Sequence, residues 1–300
     1  MGSVFPATEL SQVIHEAVAS PTLPPSLRML LLIPLQQPNK IFQPSGEHPL
    51  WPSLVLATSA AAGGDPHAAI RVAAAVEIFM AALDVFDEVE DGDQSALIDA
   101  AGSAQATNVA TTLLLLAQQL LLKLVDVGLA AEQTLMLAQT LTAAGVEAAG
   151  GQHRDLAAEK DRMISAADAL AIARQKAGTL TAGAATLGAL LGTADPEAIA
   201  LYHDWGLHLG TLSQIQNDIR DAESSGAKSD RARGKGTLPL IYARDNTEPD
   251  EVTTLATSGA LHFAWVIREM ERQACEDALA KLAERGHTVI RLHALLQRLG

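Results

Sequence analysis

Two clusters of acidic and amide side chains stand about 130 positions apart in the chain. The first spans residues 84–91 and the second spans residues 214–221, and each interrupts a long apolar run that is typical of a helix. Carboxylates on a buried helix face are costly unless something neutralises their charge. The pattern therefore predicts two helices that face one pocket and share cations, an arrangement that could hold Mg²⁺ against a diphosphate.

The spacing inside each cluster would place its oxygen ligands along one helix face. Asp87 and Asp91 are one helical turn apart, as are Asn217 and Asp221. Mg²⁺ prefers oxygen ligands and keeps several waters, so one or two carboxylates per ion suffice when a substrate phosphate completes the shell. Each cluster could instead be a solvated helix face, although carboxylates at the carboxyl end of a helix oppose its dipole. The predicted metal ligands are Asp87, Glu88, Asp91, Asn217, Asp218 and Asp221.

The rest of the sequence predicts an all-α protein. Of the 300 residues, 48% are hydrophobic and 19% are charged, and we find no strand-like alternation. We expect a single domain over residues 1–300, in which the proline-rich residues 1–50 form short helices and corners. Glycine and proline pairs, including Gly150-Gly151, are interpreted as helix ends. The predicted helices are 52–62, 66–91, 96–127, 130–151, 163–177, 179–192, 196–222, 237–244, 251–283 (with a break) and 287–299.

Net charge and cysteine usage argue against some partners and compartments. The net charge of −14 argues against a nucleic-acid partner, because phosphate binding needs clustered Lys and Arg. The single cysteine, Cys275, excludes an internal disulfide and fits a reducing, cytoplasmic location, and we expect no signal peptide. The apolar run 113–125 is interrupted by polar residues and is too short to span a bilayer, so we expect no stable membrane insertion.

Residues 224–236 differ from the rest of the chain, because they are polar, basic and rich in glycine. They follow directly after the second acidic cluster, where a mobile loop could act as a lid over a site. A solvated linker has the same composition, and both interpretations stay open.

Five segments resemble, in order, the motifs of the trans-isoprenyl diphosphate synthase (polyprenyl synthetase) family. They are residues 77–91, similar to the first aspartate-rich helix with Glu88 in place of an Asp; 151–156, similar to Gly-Gln-x-x-Asp-Leu; 176–180, similar to Lys-Thr-Gly-x-Leu; 213–221, similar to the second aspartate-rich motif with Asn217 in place of an Asp; and 229–240, similar to the loop that follows. The resemblance implies an isoprenoid synthase fold, which is a large all-α helical bundle around a central apolar cavity.

The resemblance also implies ligands and roles. An allylic prenyl diphosphate would be bridged to both acidic helices by Mg²⁺, with three ions expected and Mn²⁺ as a substitute. Members of the family are commonly homodimers, and we expect the same here. The implied catalytic residues are Asp87, Asp91, Asp218 and Lys176, and the implied substrate contacts are Lys176, Gln214, Lys228, Lys235, Gln152, Phe86 and Ala82.

Two elements with which the family grips isopentenyl diphosphate are missing. Residues 46–52 contain no Lys or Arg where the family has Gly-Lys-Arg-x-Arg-Pro, and residues 92–96 stand where the family has paired arginine. A second diphosphate facing Glu47, His48 and Asp93 would lack charge-assisted partners. We therefore favour a single-substrate enzyme, a terpene synthase on a prenyltransferase scaffold, which ionises a prenyl diphosphate and quenches the cation to a terpene alcohol or hydrocarbon.

Two alternatives stay open. One is a chain-elongating prenyl diphosphate synthase that condenses isopentenyl diphosphate with an allylic diphosphate and uses Arg28, Lys40 or Arg71 in place of the missing residues. The other is a non-catalytic subunit of a heteromeric prenyl synthase, although an inactive subunit has no need of so many metal-suited side chains.

The residues before Asp87 bear on substrate length. By resemblance, bulky aromatic residues there stop the hydrocarbon tail at fifteen carbons, whereas this chain has small Ala81 and Ala82. We expect room for a twenty-carbon substrate, with Phe79 or Met80 as the floor of the shaft.

Overall fold

The computed structural model describes residues 5–43, 48–160, 164–223, 237–246 and 258–299. These residues form twelve α-helices and contain no β-strand, so the predicted all-α class is confirmed. A 3₁₀ helix (Lys123–Val127) follows the fifth α-helix, and a π-helical turn (Arg174–Gly178) joins the seventh to the eighth. The helices are α1 (Ala7–Val18), α2 (Pro25–Leu35), α3 (Leu50–Ala62), α4 (Pro66–Glu90), α5 (Ala96–Leu122), α6 (Ala131–Lys160), α7 (Ala166–Ala173), α8 (Thr179–Ala189), α9 (Pro196–Glu223), α10 (Leu238–Asp245), α11 (Ala260–Glu284) and α12 (Ile290–Leu299).

The chain divides into two compact units. The first unit comprises Met1–Leu141 with Leu187–Ala194, and the second comprises Thr142–Thr186 with Asp195–Gly300. Two of the three boundaries fall within α6 and α8, so each of these helices contributes residues to both units. A single domain over residues 1–300 stays a prediction.

Helix α4 is the central element of the first unit and carries the first acidic cluster at its carboxyl end. It packs against α1, α3 and α5, and its alanine-rich sequence is buried along most of its length. The Asp65 carboxylate accepts a hydrogen bond from the Ala68 N–H at 2.8 Å, and Pro66 occupies the first turn, where its missing N–H is not needed. The sequence predicts this helix to within one residue.

Helix α9 carries the second acidic cluster in the second unit. It packs against α11 and the π-helical turn. A Cβ atom at Gly206 would lie 2.7 Å from the Cα atom of Ala182, and one at Gly210 would lie 2.5 Å from the Ala177 carbonyl oxygen. These two glycines therefore allow α9 to approach the chain of residues 177–182 more closely than any other residue would.

The prediction that Gly150-Gly151 ends a helix is wrong, because α6 continues through both glycines to Lys160. A Cβ atom at Gly151 would lie 2.7 Å from the backbone nitrogen of Lys176. The glycines make room for the neighbouring π-helical turn, and their backbone stays helical. Composition alone does not distinguish this use of glycine from a helix break.

Other predicted boundaries shift for local reasons. The helix predicted over 163–177 begins at Ala166 after a capping box formed by Ser165 and Asp168, and it changes to a π-helical turn at Arg174. Gly259 adopts a left-handed conformation (φ 72°), and α11 begins directly after it. Of the positions predicted to be helical, 163 and 251–257 lie outside the described residues.

One stretch in the described part of the chain, Ala96–Val127, is long and apolar enough to cross a membrane. It consists of α5, which contains a left-handed Gly102 (φ 75°), and the 3₁₀ helix that follows. Length and composition do not separate such a helix from the core helix of a soluble protein. The expected absence of membrane insertion therefore stays a prediction.

Candidate active site

The first acidic cluster lies on the last turns of α4, and Gly92 ends that helix. Gly92 adopts a left-handed conformation (φ 68°), and the Asp93 N–H donates to the Glu88 carbonyl oxygen at 2.9 Å, which forms a Schellman motif. Asp87, Glu88 and Asp91 are each partly exposed on this end of the helix. The last turn contains no basic residue, so its carboxylates add to the negative end of the helix dipole.

Glu88 has a raised pKa, to which both burial and the neighbouring carboxylates contribute. Partial burial raises the pKa of the Glu88 carboxyl, a hydrogen bond with Ser95 opposes the increase, and the neighbouring carboxylates of Asp84, Asp93 and Asp87 raise it further. A cation bound at this end of α4 would relieve both the repulsion and the unfavourable dipole interaction.

The donor chemistry of this cluster fits Mg²⁺. Carboxylate oxygens of Asp87, Glu88 and Asp91 are the hard ligands that the ion prefers. No three His, Cys, Asp or Glu side chains converge as a ready cage for an ion within the described ranges. An ion here would therefore take further oxygens from water or from a substrate.

Lys40, which the sequence suggests only as a contact for a second substrate, lies beside the first acidic cluster. The Lys40 ammonium is 2.6 Å from an Asp84 carboxylate oxygen. Burial alone would lower the pKa of Lys40, but the carboxylates of Asp84 and Glu77 outweigh burial and raise that pKa. Glu77 has no exposed surface, and one of its oxygens accepts a hydrogen bond from the Ile41 N–H at 3.2 Å. The sequence signal for this group is a glutamate in an otherwise apolar run.

The residues of the second acidic cluster, on α9, differ from one another in burial and in their hydrogen bonds. Asp218 is buried, with one carboxylate oxygen accepting from the Gln214 amide at 2.9 Å and the other from the Leu238 N–H at 3.2 Å. Asn217 is exposed, and its side-chain oxygen accepts a hydrogen bond from Arg220 at 3.4 Å. Asp221 is partly exposed on the next turn. In this structure Asp218 therefore anchors the start of α10, whereas Asn217 and Asp221 lie nearer the solvent.

A buried arginine next to this cluster was missed by the sequence analysis. The Arg268 Nε–H donates to the Gln216 side-chain oxygen at 2.5 Å, and its guanidinium stacks over the Trp265 ring at 4.8 Å. Burial is the main cause of a lowered pKa for Arg268, and the nearby Arg272 and Arg220 lower it further. Gln216 on α9 thus links the second acidic cluster to α11.

Lys176 lies in the π-helical turn, which is held from three sides. Its ammonium is 3.2 Å from an Asp155 carboxylate oxygen on α6. In the same turn, Arg174 contacts Glu271 at 3.4 Å and His208 at 3.3 Å, which ties the turn to α11 and α9. π-Helical turns interrupt regular hydrogen bonding and are frequent at functional sites.

The side-chain amide of Gln152 is the polar group near Asp155 whose hydrogen bonding stands out. Both polar atoms of its side-chain amide are buried, and neither has a hydrogen-bond partner among the described residues. Leaving such a group unpaired costs about 1–3 kcal/mol, so a buried orphan amide needs an explanation. A ligand that accepts and donates hydrogen bonds at this position, on the same helix as Asp155, would supply the missing partners.

The remaining predicted contacts divide into three groups. Ala81 and Ala82 have no exposed surface, and Phe79 and Met80 are nearly as buried. Phe86 is partly exposed. Lys228 and Lys235, together with the predicted lid over 224–236, lie outside the described residues. The shaft below the metal ligands and the facing of the two acidic helices stay predictions.

A cavity of about 590 Å³ opens in the first unit at the other end of α4 from the acidic cluster. Its lining includes Glu9, Asp65, His67, Arg71 and Leu129. Arg71 lies sixteen residues before Asp87, which is about 24 Å along a straight helix. This cavity is therefore separate from the candidate metal ligands.

Known proteins resemble this chain over most of its length. A geranylgeranyl diphosphate synthase of Mycobacterium tuberculosis is 30% identical over 250 residues, which are 80% of this chain and 69% of that protein. A short chain isoprenyl diphosphate synthase of Methanothermobacter thermautotrophicus is 28% identical over 228 residues, 72% of this chain and 69% of that protein. The solved geranylgeranyl pyrophosphate synthetase from the archaeon Geoglobus acetivorans has a TM-score of 0.83 at 22% identity and covers 98% of this chain and 96% of its own.

The structural likeness shows that the chain has the all-α isoprenoid synthase fold, as the sequence predicts. The family described as Polyprenyl synthetase matches residues 35–261. That match spans more than half of the chain and includes both acidic clusters. The chain belongs to the polyprenyl synthetase family and is an enzyme of the prenyltransferase class.

Proposed function

We propose that this protein is a Mg²⁺-dependent prenyl diphosphate synthase that condenses an allylic prenyl diphosphate with isopentenyl diphosphate. The observation that carries the proposal is the 30% identity to a geranylgeranyl diphosphate synthase over 80% of the chain. The relatives are named as diphosphate synthases, and they favour this hypothesis over the terpene synthase that the sequence analysis preferred. The proposal therefore replaces the terpene synthase with the first alternative of the sequence analysis.

Metal ions would be held by Asp87, Glu88 and Asp91 on α4 and by Asn217 and Asp221 on α9. Asp218 could join them, because a carboxylate oxygen that accepts one hydrogen bond keeps a second lone pair. When bound, Mg²⁺ would neutralise the diphosphate and stabilise it as a leaving group. The number of ions, predicted as three, and the use of Mn²⁺ belong to this proposal.

The chain itself would bind and orient the diphosphate. Lys176 lies 3.2 Å from an Asp155 carboxylate oxygen, and its ammonium could contact a phosphate as a point charge. The orphan amide of Gln152 could donate to a phosphate oxygen from the same helix as Asp155. These two side chains support a diphosphate contact in the second unit that needs no rearrangement of α6.

Substrate length is the next level of detail in the proposal. Ala81 and Ala82 are small, so they would leave more room beside α4 than aromatic side chains would. We propose a twenty-carbon substrate or product on this ground, with Phe79 or Met80 limiting the tail. A homodimer in the cytoplasm also remains part of the proposal.

A second candidate function is release of diphosphate from one prenyl diphosphate without a second substrate. The specific observation in its favour is the absence of Lys and Arg from residues 46–52. Of the substitutes considered, Lys40 is paired with Asp84, and Arg71 lies about 24 Å along α4 from Asp87. Neither arrangement offers the bidentate guanidinium that a diphosphate favours.

One incubation separates these functions. The purified protein, Mg²⁺ and farnesyl or geranylgeranyl diphosphate are combined with and without isopentenyl diphosphate, and products and released diphosphate are measured. The proposal expects longer prenyl diphosphates only when both substrates are present. Terpene alcohols or hydrocarbons from a single substrate would establish the second candidate, and no turnover of any substrate would favour a non-catalytic subunit.

The variant Asp87→Asn tests the assignment of the metal ligands, because it keeps the size of the side chain and removes one carboxylate. We expect at least about a hundredfold loss of turnover with an unchanged circular dichroism spectrum, because a charged metal ligand is lost. Near-normal turnover of this variant would contradict the assignment of the first acidic helix.

A further inference from the structure

We propose that Lys40 is a positioning residue that acts as a built-in counter-ion: it removes Asp84 from the metal-binding carboxylates and weakens the affinity of the first acidic helix for free divalent cations. The inference rests on the proposed function, in which Asp87, Glu88 and Asp91 bind the ions. It concerns how tightly that site binds metal before substrate arrives.

The geometry of the Lys40–Asp84 pair carries the inference. Asp84 is one turn before Asp87 on α4, so its carboxylate would otherwise extend the row of metal-suited oxygens. The Lys40 ammonium lies 2.6 Å from one oxygen of Asp84. It therefore occupies the place beside that oxygen that a metal ion would need. The Lys40 side chain is only 12% exposed, whereas that of Asp84 is 49% exposed. The lysine therefore approaches Asp84 from the protein side.

The backbone around Lys40 is fixed in a way that a surface lysine is not. Asn39, directly before it, adopts a left-handed conformation (φ 67°), which is uncommon outside glycine. Ile41, directly after it, is buried and donates its N–H to the Glu77 carboxylate at 3.2 Å. The ring of Phe42 packs on that of His15 with centroids 4.3 Å apart. These contacts anchor the corner after α2 and direct the lysine toward α4.

Electrostatics give the expected direction of the effect. The Lys40 charge is felt at Glu88 as well as at Asp84 and Glu77. A unit charge about 8 Å from a divalent ion in a water-like dielectric opposes binding by about fivefold. Lys40 also forms an ion pair with Asp84, so replacing Lys40 would make the Asp84 carboxylate available to a metal ion. The site would thus bind metal weakly alone and more tightly once diphosphate oxygens complete the shell.

The test is direct Mn²⁺ binding to the full-length, substrate-free protein, followed by electron paramagnetic resonance of the free ion. We expect Lys40→Met to bind Mn²⁺ about fivefold more tightly or better, and Lys40→Arg to match the wild type. The double variant Lys40→Met with Asp84→Asn removes a neutral pair and should bind within about twofold of the wild type. Lys123→Met removes an exposed lysine at the far end of α5 and serves as the charge control.

Two results would overturn the inference. One is unchanged or weaker Mn²⁺ binding by Lys40→Met at a wild-type melting temperature. The other is a decrease of about tenfold or more in the Mn²⁺ affinity of the double variant, which would indicate that Asp84 is a metal ligand. If Lys40→Met does not fold, Lys40→Gln decides the question by the same measurement, because it removes the charge and keeps a polar end near Glu77 and Asp84.

Asp87→Asn separates a failure of this inference from a failure of the proposed function. Unchanged Mn²⁺ affinity in Asp87→Asn would mean that the first acidic helix is not a metal site. A clear loss in Asp87→Asn, together with no effect of Lys40→Met, would leave the metal site in place and remove only the role of Lys40.

Discussion

Asp218 lies buried on α9, where its two carboxylate oxygens accept hydrogen bonds from Gln214 and from the Leu238 backbone. Helical spacing predicts that Asn217, Asp218 and Asp221 belong to one cluster, and it does so correctly at the level of local sequence. Spacing does not reveal which carboxylate is used inside the protein. The donor at Leu238 is twenty positions away, beyond the segment 224–236, and only the folded chain brings it to Asp218.

Replacing Asp218 should therefore reduce stability as well as activity. We expect Asp218→Ala to lower the free energy of unfolding by about 1–3 kcal/mol, because the buried Leu238 N–H loses its acceptor. Urea denaturation followed by circular dichroism measures this change. The control is Asn217→Ala on the exposed side of the same turn, which should change stability by less than about 0.5 kcal/mol. Equal unfolding free energies for the two variants would contradict the buried role of Asp218.

The buried Glu77 carboxyl should make the stability of the folded protein depend on pH. Burial is the main cause of its raised pKa, the Lys40 charge and the Ile41 hydrogen bond oppose the increase, and the Asp84 carboxylate raises the pKa further. Because the folded-state pKa lies above the unfolded-state pKa, the folded protein holds this proton more tightly. Stability from this group is therefore present at acid pH and is lost as the pH rises through the folded-state pKa.

Glu77→Gln cannot ionise, and its side-chain oxygen can keep the hydrogen bond from Ile41. The unfolding free energy of the variant relative to wild type should increase from about pH 4 to pH 8, by about 1.4 kcal/mol for each unit by which the pKa is raised. Urea denaturation at several pH values measures it. Glu132→Gln, at an exposed position on α6, should give a constant difference. A difference for Glu77→Gln that falls with rising pH would reverse the assigned sign.

At the scale of elements, the positions of the long helices were predictable, whereas the structural role of their glycines was not. The apolar periodicity of α4 and α9, with Asp-Pro before each, is sufficient to place both starts. Gly150-Gly151 has the same composition as a helix end, yet α6 passes through it. The deciding contact is with Lys176, which is remote in sequence, so no local pattern could predict it.

Adjacent glycines on α6 provide a matched test of this packing. A Cβ atom at Gly151 would lie 2.7 Å from the Lys176 backbone nitrogen, whereas one at Gly150 would lie 3.0 Å from the flexible end of Gln175. We expect Gly151→Ala to cost about 1–3 kcal/mol and to raise the KM for the allylic diphosphate, because the turn that carries Lys176 is displaced.

Gly150→Ala should be neutral or stabilising by up to about 1 kcal/mol, since alanine favours a helix over glycine. Chemical denaturation and steady-state kinetics of both variants measure these effects. A Gly151→Ala variant as stable and as active as Gly150→Ala would contradict close packing of Gly151 on Lys176.

At the scale of the whole molecule, the exposed apolar side chains of the first unit lack a partner within the described structure. Leu115 is 66% exposed and Leu122 is 55% exposed on α5, and Leu135 and Met136 are also exposed at the start of α6. Composition predicted these helices but not which of their faces the fold leaves uncovered. We propose that a second copy of the chain covers this surface, in line with the expected homodimer.

Leu115→Glu tests the homodimer. A carboxylate at the centre of an apolar interface is strongly unfavourable, so the variant should elute with half the wild-type mass in light-scattering chromatography. Ile290→Glu on α12, at a position that is 76% exposed, is the control and should leave the mass unchanged. A wild-type species that is already monomeric, or a dimer that survives Leu115→Glu, would contradict this surface.

The unpaired amide of Gln152 has a practical consequence for anyone who handles the protein. That amide has no hydrogen-bond partner among the described residues, so a ligand that pairs with it would stabilise the folded protein. Inorganic pyrophosphate could accept a hydrogen bond from the amide nitrogen, so it should slow the inactivation of the protein by heat. We therefore expect the protein to be most stable when it is stored with pyrophosphate.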